Sequence, residues 1–171
     1  MGSEAGLGRL ACLGLVLGAV FGMAGTMVAS ATLRGVFWDI DGAALVMAAS
    51  ILTVRYLRRG NDLVAAGFLV FAIGEGIILS SAGAALTESG PPFAAGTALW
   101  ATALLLISIP GTFTLPARLL GLVAAALFGA TSLLILSGTG LTPVSSPLPF
   151  FAYPFLVLTF IGWIWTLWRS P

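Results

Sequence analysis

One carboxylic acid, Glu75, lies inside an apolar stretch from Leu63 to Leu86, with a glycine on each side and no basic residue within ten positions. An apolar stretch of this length is typical of a membrane-spanning helix. A charge inside a bilayer is costly, so the side chain must be neutralised, paired or hydrated. Because burial disfavours the charged form, we expect a protonated, neutral carboxyl group at rest. Acids at such positions are usually functional, which makes Glu75 the candidate for a proton or ligand site; the alternative is a neutral side chain, held by Thr hydroxyls, that only fixes helix packing.

Hydroxyl groups are the expected partners of Glu75. The residue lies about 13 positions from the predicted inner end of its helix, roughly 20 Å in at 1.5 Å per residue, close to the midplane. Counting the same depth along the other helices reaches Thr26, Thr102, Thr131, Ser132 and Thr159. These residues are candidates for lining a site around Glu75. The alternative is that each hydroxyl only bonds a carbonyl of its own helix.

Glycines are spaced for close helix packing. Gly14, Gly18 and Gly22 recur every four residues in the first helix and form one ridge. Small residues let helices approach closely in lipid, so this ridge predicts a helix contact, within the chain in preference to a second copy. Gly74 and Gly76 thin the helix on either side of Glu75, which leaves backbone accessible to a neighbouring helix, a water or a small ligand.

Several chemistries are excluded by residue type. The chain has no His, no Lys and a single Cys, so it cannot supply the common zinc, haem or Ser-His-Asp groups on its own. We therefore expect no catalytic residue, no metal site, no cofactor and no enzymatic activity. Asp39 and Asp41 lie in a predicted outer turn, Val36 to Gly42, at the start of the second apolar block, where capping of a helix N-terminus is favoured over a cation site because further oxygen ligands are lacking.

The composition predicts an integral membrane protein. Hydrophobic residues make up 59% of the chain and charged residues 8%, against about 25% charged residues in soluble domains. The apolar residues fall into blocks long enough to cross a bilayer. The sequence therefore predicts an all-α, six-transmembrane-helix bundle that forms one domain over 1–171, with no soluble domain. The predicted helices are 9–31, 36–56, 63–86, 93–109, 119–137 and 150–168.

The arginines predict the orientation. With six spans, one side carries six arginines, which are Arg9, Arg55, Arg58, Arg59, Arg118 and Arg169, and the other side carries only Arg34. Basic residues are retained on the cytoplasmic side, so both termini are expected to be cytoplasmic. The first apolar block is longer than the core of a signal peptide and is expected to be retained as a helix.

The last part of the chain is distinctive. Prolines at 143, 147 and 149 exclude a regular helix between Gly138 and Pro149, so we expect a stiff extended cap over the bundle, with a partially re-entrant segment as the alternative. Aromatic residues at both ends of the final helix, including Tyr153, Trp163 and Trp168, are typical of an aromatic belt that faces lipid.

Two functional hypotheses follow. The first is a small proton-coupled transporter or permeation protein centred on Glu75, whose substrates are small or apolar and not strongly anionic. The second is a non-catalytic accessory subunit that uses its glycine ridge and outer cap to contact a larger membrane complex. The expected partners are the lipid bilayer and either further copies of the chain or such a complex, with no nucleic acid. The Ala-, Gly-, Leu- and Arg-rich composition without Lys fits a bacterial source and hence the inner membrane.

Overall fold

The computed structural model of the chain describes residues 2–86 and 88–169. These residues form six α-helices and no strand. The helices are α1 Gly2–Met27, α2 Ala31–Arg58, α3 Asp62–Leu79, α4 Gly90–Ser108, α5 Leu115–Leu136 and α6 Ala152–Arg169.

The six helices form a closed ring. Each helix packs against the next one along the chain, and α6 returns to contact α1. Because neighbours in sequence are also neighbours in space, successive helices alternate in direction. The connections at 59–61 and 109–114 therefore lie at one end, together with the start of α1, the end of α6 and six of the seven arginines; we call this the arginine end. The connections at 28–30, 80–89 and 137–151 lie at the other, which we call the cap end.

Five of the helices, α1 to α5, are long and apolar enough to cross a membrane. Large apolar side chains cover the outside of the ring, among them Val20, Leu69 and Leu133, which are between 50% and 69% exposed. An apolar exterior on this scale is unfavourable in water but natural in lipid. The chain is therefore an integral membrane protein, as its composition predicts.

Two predicted helix boundaries differ from the structure in ways that affect the site. Helix α2 begins at Ala31, five residues before its predicted start, because the Ser30 hydroxyl accepts a hydrogen bond from the Leu33 amide and caps the helix. Helix α3 ends at Leu79 and not at Leu86. The Ser81 and Ala82 amides donate to the Ile78 and Leu79 carbonyls, three residues back, so the backbone leaves the i−4 hydrogen-bond pattern of an α-helix at this point.

The glycine ridge of α1 packs against α2 within the chain. A Cβ atom at Gly14 would lie 2.7 Å from the Ala44 carbonyl oxygen, and one at Gly18 would overlap the Leu45 side chain. Close backbone approach of this kind is the main source of helix association in lipid. Of the two glycines beside Glu75, Gly74 packs against α4 and Gly76 faces open space.

Aromatic rings fill the centre of the bundle towards the arginine end. We define the aromatic layer as Phe68 and Phe71 of α3, Phe113 of the 109–114 connection, and Phe160 and Trp163 of α6. Its rings contact one another in edge-to-face and tilted pairs with centroids 5.0 to 6.4 Å apart, distances typical of favourable aromatic contacts. The expected lipid-facing belt is thus wrong for Trp163, which is 1% exposed, whereas Trp168 is 74% exposed.

Candidate functional site

Glu75 is buried in the wall of a cavity. It is the only acidic or basic side chain among the described buried residues, and 2% of its surface is exposed. Its Oε2 atom is fully buried and has no hydrogen-bond partner within the described protein. Because α3 ends at Leu79, Glu75 lies in the last turns of the helix, roughly 20 Å from Asp62 and 6 Å from the cap end. The expected mid-helix position is therefore corrected towards the cap end.

A second carboxyl group, that of Asp41, lines the same cavity. Since α2 begins at Ala31, Asp41 lies ten residues inside the helix and cannot cap its N-terminus. Its Oδ1 atom is buried without a hydrogen-bond partner, and Asp41 is close enough to Glu75 for the two carboxyl groups to interact electrostatically. Room for the Asp41 side chain comes from Gly22, where a Cβ atom would lie 2.8 Å from Oδ2.

Sequence reasoning missed Asp41 because it assigned the residue to a turn. One signal could have identified it: Asp41 precedes Leu45, Ala48 and Leu52 at helical spacing, and those three residues are buried. An acid that continues the buried face of a helix points to the same interior as its apolar neighbours. With α2 extended to Ala31, that periodicity predicts a carboxyl group inside the bundle.

Two polar aromatic side chains complete the polar part of the wall. Trp100 of α4 lies beside Glu75, yet its indole Nε1 is buried without a hydrogen bond of acceptable geometry. The Tyr153 hydroxyl of α6 donates to the Pro143 carbonyl over 2.9 Å. This bond ties the proline-rich connection to α6, and Pro143 itself forms part of the cavity wall. The 137–151 connection therefore folds as turns that cover one end of the cavity.

The cavity has a volume of about 60 Å³, several times the space that one buried water requires. Most of its wall is apolar. A larger recess of about 630 Å³ lies beside it at the cap end and contains Arg34 and Asp39. The cavity and the recess share Trp38 and residues of the 80–89 connection, including Ala82. The cavity that contains Glu75 and the surface recess thus share part of one wall.

The hydroxyl ring expected around Glu75 does not form. Thr26 lines the cavity, but its hydroxyl donates to the Met23 carbonyl. Thr102 is exposed and donates to Ala98. Thr131 and Thr159 are buried away from the cavity and donate to carbonyls of their own helices.

Ser132 also lies outside the cavity wall, and its hydroxyl joins α5 to α4 through the Ala94 carbonyl over 2.8 Å. Four of the five predicted hydroxyls therefore bond within their own helix and the fifth is a helix cross-link. Depth along a helix sets the height of a side chain, whereas its direction depends on how the helix is rotated, and depth alone does not fix that rotation.

Groups of three or more metal-ligating side chains are absent from the described part of the chain. Comparisons with protein-family models, with curated proteins and with solved structures find no match to this chain. The chemistry of the cavity is therefore argued from its own residues.

Proposed function

We propose that the chain is a small proton-coupled transporter or permeation protein whose protonatable centre is the Asp41–Glu75 pair. The observation that carries this proposal is the pair of carboxyl groups, each with a buried oxygen lacking a hydrogen bond, at one cavity of an apolar bundle. Both groups are neutral when protonated. A proton can therefore be bound or released at this cavity in response to what else occupies it.

Packing alone gives no reason to keep these acids. A buried polar atom without a partner costs about 1–3 kcal/mol, and a charge costs more. An apolar side chain of similar size would avoid that cost at either position. Stability lost at a specific place is a common consequence of function, because activity often requires groups that are unfavourable for folding.

The recess beside the cavity supports exchange with one side of the membrane. Trp38 and part of the 80–89 connection belong to the walls of both the recess and the cavity. In the opposite direction, the aromatic layer closes the centre of the bundle. Glu75 would thus exchange protons with the cap end in this conformation, and passage to the arginine end would require the aromatic layer to open.

We also propose six membrane spans with both termini in the cytoplasm. Helix α6 has 18 residues, about 27 Å of helix, and its outer face carries exposed Ile161 and Trp165. With α6 as a span, the six arginines of the arginine end face the cytoplasm and the cap end faces outward. In the bacterial inner membrane, this orientation exposes the recess to the external solution.

The accessory-subunit hypothesis loses one of its two docking surfaces. The glycine ridge is covered by α2, so it is not available to a partner. In the 137–151 connection at the cap end, Pro143 forms part of the cavity wall, so this residue is also not free to contact a partner. We therefore retain transport as the proposed function.

The test uses purified protein reconstituted into liposomes that contain a pH-sensitive dye. Inward gradients of rubidium chloride, tetramethylammonium chloride and glycerol are imposed one at a time, and internal pH is recorded. None of these solutes carries protons by itself. We expect at least one gradient to change internal pH in wild-type vesicles, and we expect Glu75→Gln to abolish that change.

The matched control is Glu88→Gln, which removes an exposed acid at the cap end that does not line the cavity. This variant should behave as the wild type. Size-exclusion elution of each variant in detergent verifies that it is folded. A wild-type response that survives Glu75→Gln, or no response to any of the three solutes, would contradict the proposed function.

A further inference from the structure

We infer that the cavity binds a small organic cation of the alkylated ammonium type and exchanges it for a proton. This inference rests on the proposed function and specifies its substrate class. It follows from three features of the cavity wall, which are its acidic groups, its mostly apolar surface and its aromatic side chains.

The charge of the wall selects a cation. Asp41 and Glu75 contribute two acidic groups, and no arginine lies among the described wall residues. In an empty cavity, protons keep both groups neutral. When a monovalent cation enters, one carboxyl O–H bond breaks and its proton leaves to solvent while the carboxylate remains. One positive charge replaces another, so the total charge inside the bundle is unchanged.

Oxygen atoms are a minor part of the cavity wall. Besides the two carboxyl groups, the wall contains the hydroxyls of Thr26, Ser81 and Ser89, each of which donates to a backbone carbonyl of its own segment and keeps its lone pairs. A metal ion needs about six or more oxygen ligands, from protein or water, to replace its hydration shell. A mostly apolar wall suits an ion that has no such shell to replace. The penalty for dehydration is far smaller for an alkylated ammonium ion, because its charge is already covered by carbon.

Aromatic faces provide the complementary contact. Five aromatic side chains line the cavity, which are Trp38, Phe93, Trp100, Tyr153 and Phe160. Aromatic faces attract cations through the ring quadrupole, and groups of such rings are the usual protein site for quaternary ammonium ions. This combination of rings and carboxyl groups fits a cation with apolar substituents better than it fits a neutral or an anionic solute.

Other titratable groups facing the pair are few. Among the described wall residues, α1 and α4 contribute none that is acidic or basic. Helix α6 contributes only Tyr153, whose hydroxyl is bonded to Pro143, and α5 contributes no wall residue. Proton exchange in the cavity is therefore assigned to Asp41 and Glu75.

The entry route runs past Trp38. This residue borders both the cavity and the recess, and the Arg34 guanidinium lies 5.9 Å from the centre of its ring. Trp38 is therefore one of the side chains that an organic cation would pass between the recess and the carboxyl groups.

The experiment compares the three solutes in the reconstituted system described above. We expect tetramethylammonium entry to make the vesicle interior more alkaline, because each ion taken up releases one internal proton. Rubidium and glycerol should give the response of protein-free vesicles. Glu75→Gln and Asp41→Asn should each lose the tetramethylammonium response, and Glu88→Gln should keep it.

The outcomes separate the substrate class from the transport function. A proton response to rubidium or glycerol that equals or exceeds the tetramethylammonium response would overturn the organic-cation inference and leave the proposed function standing. No response to any solute would overturn both.

A second measurement guards against variants that misfold. In detergent, tetramethylammonium should change the tryptophan fluorescence of the wild type and of Glu88→Gln, with release of protons to a weakly buffered solution. Fluorescence changes without proton release would overturn the exchange.

Discussion

The two ends of the bundle are packed in opposite ways, although the same helices build both. Towards the arginine end, Phe68 and Trp163 are almost fully buried in mutual ring contact, and the Asn61 side chain donates to the Thr112 hydroxyl to join two connections. One turn along α3 from Phe71, towards the cap end, Glu75 borders an open cavity. A single helix therefore passes from close packing to a cavity within four residues.

This difference separates the part of the bundle that maintains the fold from the part that can bind. Aromatic contacts at the arginine end stabilise the ring and close its centre. At the cap end, two acids and an indole have buried polar atoms without partners, which lowers stability and leaves groups free for a ligand. The comparison makes predictions about stability that do not require the ligand to be known.

The largest effect is expected from truncation in the aromatic layer. Phe68 contacts Tyr56, Phe113 and Trp163, so Phe68→Ala should lower the free energy of unfolding by about 3–5 kcal/mol. The adjacent Leu69 is half-exposed on the lipid-facing side, and Leu69→Ala should change it by no more than about 0.5 kcal/mol. Denaturant unfolding in detergent measures both. Equal effects of the two substitutions would show that the aromatic layer does not stabilise the bundle.

A smaller effect is expected from the glycines. A Cβ atom at Gly14 would meet the Ala44 carbonyl oxygen at 2.7 Å and the Ala48 side chain at 2.9 Å. Gly14→Ala should therefore separate α1 from α2 and cost about 1–3 kcal/mol. At Gly76, directly beside Glu75, a Cβ atom would meet nothing within 4 Å, so Gly76→Ala should be neutral or stabilise by up to about 1 kcal/mol through helix propensity. Thermal unfolding in detergent ranks the two variants, and the opposite ranking would contradict the α1–α2 contact.

Hydrophobic patterning was sufficient to predict the helical class, the number of helices and the approximate location of each one. It located the end of α3 seven residues too late, because the apolar residues after Leu79 look like more helix, whereas the backbone changes to i−3 hydrogen bonds at Ser81 and Ala82. Composition identified Glu75 as the unusual residue, since an acid in an apolar stretch needs no tertiary information to be recognised.

The surroundings of Glu75 could not be predicted in the same way. Asp41 could be assigned to the interior of the bundle only from the structure, in which α2 begins at Ala31 and contains Asp41. Thr102 was expected beside Glu75 and is exposed instead, because the choice between inside and outside depends on the rotation of α4 in the ring. Contacts between helices fix that rotation, and the sequence of one helix contains little information about them.

Glu75→Met provides the most direct test of the account, because it replaces the acid by an apolar side chain of similar length. If Glu75 is kept for function, this variant should be more stable than the wild type by about 1–3 kcal/mol, the cost of an unpartnered buried polar group, and should lose all solute-driven proton movement in liposomes. A variant that is instead destabilised to the extent expected for Phe68→Ala would show that Glu75 is a packing residue, and that result would contradict the account.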